Sequence, residues 1–184
     1  MANSLHLPLF LLLSILAAHK ALASSHNHDQ DLRSLQFSLF QHETINKTGY
    51  IVVDGVAGTG FSETTTPFGT IFVFRDNMTT SLNDSSGVVG IAEGTSITTS
   101  FDGLRSLSFA KITLKTHGYE GSVSILGVVH NTKPADLPIA GGTGDFMFVQ
   151  GYVRSSPVDL RGLTVVYKIE FHLYWPPYAT NGPK

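Results

Sequence analysis

Pro138-Ile139-Ala140-Gly141-Gly142-Thr143-Gly144-Asp145-Phe146-Met147-Phe148-Val149-Gln150-Gly151-Tyr152-Val153-Arg154 is the stretch on which the fold turns. A tight glycine loop, Gly141-Gly142-Thr143-Gly144, runs into a strand pattern. From Asp145 to Arg154 the parities separate. Phe146, Phe148, Gln150 and Tyr152 fall on one side, and Asp145, Met147, Val149, Gly151 and Val153 on the other. One face is bulky and aromatic, the other medium-sized, so both are expected to meet protein or ligand. The spacing does not fit a phosphate cradle: no Gly-Lys-Ser/Thr follows, and no helix begins after the glycines. The glycines read instead as the loop that sends a strand into a barrel, where φ > 0 and close backbone approach are needed.

Outward from this stretch the chain reads as strands. Leu35–Glu43, Tyr50–Val56, Phe68–Arg75, Val88–Thr98, Leu107–Thr116, Ser122–His130, Asp145–Arg154 and Leu163–Trp175 alternate or carry β-branched and aromatic runs. Turn chemistry separates them, at Gly58-Thr59-Gly60, Asp102-Gly103, His117-Gly118 and Arg161-Gly162 among others. No segment sustains a helical apolar period. About eight strands of a mainly antiparallel sheet follow, in one domain. Closure into an eight-stranded antiparallel β-barrel removes exposed edges and leaves room for one small ligand. A β-sandwich is the alternative.

The 184 residues suffice for one sizeable core. A formal net charge of −2 leaves no footprint for nucleic acid. Charged residues are only 14%, so the outer surface is expected to be partly apolar and partly covered in an oligomer. Residues 5–18 form an apolar run too short for a membrane span, and Ala21-Leu22-Ala23 follows as a small-x-small cleavage site. Residues 1–23 therefore read as a signal peptide, with no membrane contact after its removal. Residues 24–34 read as a disordered polar tail, 35–178 as the barrel and 179–184 as a C-terminal tail. The chain has no cysteine, so the core and subunit contacts must stabilise it without disulfides. Asn46, Asn77 and Asn83 each open a glycosylation acceptor motif.

No metal-ligand spacing, nucleophile elbow or redox fingerprint is present, and no cofactor is expected. What remains is a barrel with a few polar groups among apolar strands, which suits an apolar, aromatic small molecule held by a few polar contacts. His42, Glu93, His130, Asp136, Asp145, Lys168, Glu170 and His172 are the polar candidates. Lys168, Glu170 and His172 fit the solvated face of the last strand, and Asp145 a turn cap. His42 is evenly balanced between pocket and surface. Glu93 has small neighbours, and Asp136 lies in a loop that could rim the barrel mouth.

Three blocks then carry a resemblance. Phe68-Gly69-Thr70-Ile71-Phe72-Val73-Phe74-Arg75-Asp76, Val89-Gly90-Ile91-Ala92-Glu93-Gly94 and Gly141-Gly142-Thr143-Gly144-Asp145-Phe146, in this order and spacing, resemble the plant dirigent family. The closing run from Gly162 to Tyr178 looks most like that of the legume pterocarpan synthases within it. The resemblance implies an eight-stranded barrel, a homotrimer and secretion to the apoplast. It implies one of two activities. The first is dehydration of an isoflavanol through a quinone methide, closing a pterocarpan ring. The alternative is a non-catalytic protein that orients phenoxy radicals made by a separate oxidase, a laccase or peroxidase, for lignan-type coupling.

Aligned on Phe40, the His-Asp pair of lignan-forming members falls on Gln41-His42, a second acid falls on Val129, and a Thr-Arg-Asp triplet falls on Pro134-Ala135-Asp136. Glu93 adds a carboxyl those relatives lack. The resemblance thus points to Asp136 or Glu93 as the acid that protonates the departing hydroxyl, with His42 receiving the proton of the attacking phenol. Phe40, Val129 and Phe146 are expected to line the substrate pocket.

Overall fold

In the computed structural model, residues 33–59, 65–83 and 86–180 are described. The signal peptide expected over 1–23, the polar tail up to residue 32 and the last four residues lie outside that set. Among the described residues nine strands follow one another: β1 (Arg33–Thr44), β2 (Gly49–Val53), β3 (Ile71–Thr79), β4 (Val88–Thr98), β5 (Arg105–Thr116), β6 (Tyr119–His130), β7 (Ala135–Gly144), β8 (Gln150–Arg161) and β9 (Thr164–Trp175). Each pairs antiparallel with its neighbour in the order β1-β9-β8-β7-β6-β5-β4-β3-β2. A further ladder, Phe40↔Thr79, Gln41↔Met78 and His42↔Asn77, joins β1 to β3 and closes eight strands into a barrel. The antiparallel eight-stranded barrel expected from alternation is therefore the fold, with β2 as an extra strand.

The membership of the barrel differs from the expectation. β2 leaves the wall because the chain turns at Asn46, whose φ is 64°, and then runs on along the upper part of β3. Its residues Tyr50 to Val53 stay exposed. The eighth place in the wall goes to β7, whose glycine run and Asp136 are expected in loops from the sequence.

Conversely, Asp145 to Val149 is a turn rather than the start of a strand. Phe146 N–H donates to Thr143 O, Met147 N–H to Gly144 O, and Val149 N–H to Phe146 O. The Asp145 carboxylate accepts the Glu120 N–H at 2.8 Å, the capping role its position suggested. This turn seats the fully buried Phe146 ring beside Trp175 and Tyr119, with ring centroids 6.3 and 6.2 Å away.

The glycines make that seating possible. A Cβ at position 142 would lie 2.1 Å from the Phe146 carbonyl oxygen, and Gly144 needs a φ of +61°. Gly142→Ala is accordingly expected to destabilise the barrel by about 1–3 kcal/mol. Thermal unfolding followed by circular dichroism checks this: a drop of about 5 °C is expected, and an unchanged midpoint would show that the turn tolerates a side chain.

The inner face follows from two-residue periodicity. β5 is the clearest case, with Ser106, Ser108, Ala110, Ile112 and Leu114 buried and the residues between them exposed. One end of the barrel is sealed: Trp175, Phe146, Leu173, Val123 and Leu114 are each at most 1% exposed. Each such side chain contributes roughly 1.5–3 kcal/mol by its removal from water. At the other end the inner-face residues Phe72, Val129 and Val165 keep partial exposure, so that end is open.

Candidate functional site

The closure seam between β1 and β3 brings the inward polar residues together. On β1 the inward residues are Leu39, Gln41 and Glu43. On β9, in register with them, are Ile169, Tyr167 and Val165. Across the seam, Gln41 lies opposite Met78, and two residues further along β3 the inward position is Asp76. Gln41, Glu43, Asp76 and Tyr167 therefore gather on one stretch of the inner wall. The buried Leu39, Met78 and Ile169 lie behind them, and the open end lies ahead.

Gln41 Nε2 donates to Asp76 Oδ2 at 2.7 Å. Asp76 is fully buried, and its Oδ1 has no hydrogen-bond partner among the described residues. Burial pushes the Glu43 carboxyl up to about 8, with the nearby Asp76 adding to the effect. Burial also pushes Asp76 up, but only to about 6, because the Thr48 hydroxyl and the Gln41 amide favour its charged form. Burial, then the negative charge of Glu43 and Asp76, holds the Tyr167 phenol well above its ordinary value and hence protonated. Near neutral pH the site therefore pairs a protonated carboxyl with an ionised one. Two titrating groups with values driven apart in this way can serve as an acid and a base in one reaction.

The register turns the expected catalytic residues away from this cluster. Asp136 lies on the outer face, where Arg154 holds it through two hydrogen bonds of 2.7 and 2.9 Å and keeps its carboxyl below the usual range. Glu93 is also outward, within 3.8 Å of Arg75 and 3.5 Å of Lys111. His42 follows the same outward parity, and its Nε2 lies 2.8 Å from Thr79 Oγ1. These three do not meet one another or the interior. The physical reason is common to all: each sits at an odd offset from the buried residues of its strand, and one residue of offset reverses the face.

Of the expected pocket residues, Phe40 faces outward beside Lys168, and Phe146 plugs the sealed end. Val129 alone lies on the inner face toward the open end. Lys168 pairs with Glu170 at 2.8 Å, and His172 stacks on Tyr152 with centroids 4.6 Å apart, all on the outer wall as read from alternation. Asn46, Asn77 and Asn83 are exposed. No group of three or more His, Asp and Glu side chains is arranged as metal ligands would be, and no helix is long and apolar enough to cross a membrane, among the described residues.

Comparison with known proteins adds to this geometry. The family model described as "Dirigent-like protein" matches residues 34–174. Dirigent protein 7 of Arabidopsis thaliana is 29% identical over 126 residues, 65% of this chain and 63% of that protein, so the chain spans less than two thirds of that relative's length. Pterocarpan synthase 1 of Glycyrrhiza echinata is 26% identical over 157 residues, 83% of each chain. The solved structure of the pterocarpan synthase dirigent protein PsPTS1 superposes with a TM-score of 0.68 at 20% identity, covering 78% of this chain and 96% of that one, a likeness of fold.

Proposed function

The chain belongs to the dirigent family, and on that premise we propose that it dehydrates an isoflavanol inside the barrel to form a pterocarpan. The observation that carries this reading is the inward placing of Glu43 and Asp76 on one stretch of the wall, with Gln41 donating to Asp76 at 2.7 Å; burial, which raises both carboxyls and raises Glu43 the further, suits them to act as acid and base. The similarity to a pterocarpan synthase over most of both chains supports the substrate class.

In the proposed sequence Glu43 gives its proton to the hydroxyl at C4, which leaves as water. The phenol on the aromatic ring that bears C4 loses its proton to Asp76, and its electrons complete a quinone methide. The phenol of the second ring then bonds to C4, and its proton ends on the quinone-methide oxygen. Proton transfer from Asp76 to Glu43 resets the pair, so the net change is loss of one water. The apolar inner wall keeps bulk water from competing for C4.

The assay is direct. Purified protein is incubated with cis and trans isoflavanols, and products are resolved by chiral chromatography. An enantiomerically enriched pterocarpan above the spontaneous background is expected. The competing reading, orientation of phenoxy radicals, predicts instead an enantiomeric excess from coniferyl alcohol with an added laccase or peroxidase and no isoflavanol turnover; that outcome would replace the dehydratase assignment.

Assembly as a homotrimer belongs to the same proposal. Val73, Ile97, Leu107, Phe109, Leu126 and Val128 form exposed apolar positions on the outer face of β3 to β6. An apolar area on adjoining strands is a surface that association would cover. Phe109→Lys combined with Leu126→Lys is expected to convert the trimer to a monomer in light scattering after size exclusion, and a parent that already runs as a monomer would contradict it. Secretion to the apoplast completes the proposal: a mature chain beginning at Ser24 and a mass shift on deglycosylation are expected.

A further inference from the structure

We propose that Gln41 assigns the roles within the inner carboxyl pair: by donating to Asp76 Oδ2 it keeps Asp76 the ionised member, with Oδ1 as the open acceptor, and leaves Glu43 to carry the proton. Gln41 is thus a positioning residue, and the inference rests on the acid-base reading of this site.

The geometry gives the two carboxyls unequal surroundings. Both are withdrawn from water, which favours the neutral form of each. Only Asp76 receives a hydrogen bond from Gln41, a donor with no charge of its own to offset. The Thr48 hydroxyl, in the turn that carries the chain from β1 to β2, also favours the Asp76 anion. Among the described residues Glu43 has no such donor, and the Asp76 charge beside it opposes its ionisation. The remaining titratable group facing the pair among the described residues is Tyr167 on β9, a neutral phenol. The inner positions of β4 to β8 bring none at this level: Ala92, Ser108, Gly127, Leu137 and Ser155 are typical. The asymmetry between two otherwise similar carboxyls therefore comes from neutral groups beside Asp76, and Gln41 is the one that donates to it at 2.7 Å from the same inner wall as Glu43.

An amide turned the other way would accept a hydrogen bond from a protonated Asp76, and the roles would be reversed. Replacing Gln41 tells the two apart, because a lost donor and a lost acceptor move the Asp76 midpoint in opposite directions.

The test is a site-resolved ¹³C-carboxyl NMR titration of the substrate-free protein, parent against Gln41→Met. Loss of the donor is expected to move the Asp76 midpoint up by about one pH unit and to bring the Asp76 and Glu43 midpoints together. An Asp76 midpoint that stays in place or moves down would overturn the assignment. Should Gln41→Met fail to fold, the parent alone decides: the Gln41 side-chain amide resonances are expected to titrate with Asp76, and amide resonances that ignore that titration would overturn the contact. In turnover, the ascending limb of the pH-rate profile is expected to shift upward in Gln41→Met, which a purely structural role would not produce. A parent inactive on isoflavanols would remove the proposed reaction and leave the carboxyl titrations to decide on Gln41.

Discussion

Glu43→Gln is expected to lower isoflavanol turnover by roughly 10²–10⁴, the usual worth of general acid catalysis. The amide keeps the size and most of the packing of the carboxyl but has no proton to give to the departing hydroxyl. The loss should appear in kcat more than in KM, because a proton is delivered only as the C–O bond breaks. Glu43→Asp keeps the acid but shortens its reach, so an intermediate rate is expected. Asp136→Asn serves as the outer control. Its parent side chain is held by Arg154 on the far side of the wall, so turnover within about threefold of the parent is expected, far less than the loss of a general acid. Near-parental turnover in Glu43→Gln together with a large loss in Asp136→Asn would return the chemistry to the outer face.

The second large effect is on stability. Glu43 binds its proton up to about pH 8 in the folded barrel, whereas in the unfolded chain it ionises near its ordinary value of 4.5. Between these two values the folded state holds a proton that the unfolded state has released, so stability is full below the lower value and falls as pH rises through the window. The difference corresponds to a loss of the order of 5 kcal/mol by pH 9. Asp76, raised to about 6, loses stability in the same direction over its own, lower window.

A melting temperature lower by roughly 10 °C at pH 9 than at pH 5 is expected, and Glu43→Gln should remove more than half of that slope. Scanning calorimetry across this range checks it. A parent whose midpoint does not fall, or a variant with the parental slope, would mean that Glu43 is not held neutral inside the barrel.

Much of the fold was legible because a barrel imposes period two on almost every strand. β5 and β9 show it plainly: on β9 the polar parity reads as the outer face, whereas on β5 the outward Leu107 and Phe109 and the inward Ser106 and Ser108 leave polarity unable to tell the faces apart. The glycine run misled for a physical reason. Glycines in β7 are there so that Phe146 can fold back over them, a contact invisible to a rule that treats clustered glycine as loop. Phe146 and Phe148 then imitated strand alternation, although one plugs the core and the other sits in a turn with φ of 63°.

The site was harder to read. Its residues come from three strands, and only the β1 to β3 ladder brings Asp76 beside Gln41 and Glu43. Parity alone came close, since Leu39 and Gln41 share the face on which Glu43 follows. Alignment on Phe40 sets the position of the acid in the lignan-forming pair one residue early, on His42, which the strand turns outward. Moving that alignment by one residue sets the His-Asp pair of the resemblance against His42-Glu43 and gives it an inward acid. Asp136 and Glu93 drew attention as carboxyls near a glycine loop and among small residues. Nothing in the chain's order shows that Arg154, Arg75 and Lys111 stand beside them.

The pH dependence of kcat/KM for pterocarpan formation, corrected for the spontaneous reaction, tests the central claim most directly. An inner pair in which Asp76 must be ionised and Glu43 protonated predicts a bell, with an ascending limb near about 6 and a descending limb near about 8. In Glu43→Gln the descending limb should be gone from the residual activity. A flat profile, or a bell that survives Glu43→Gln unchanged, would contradict catalysis by the inner pair.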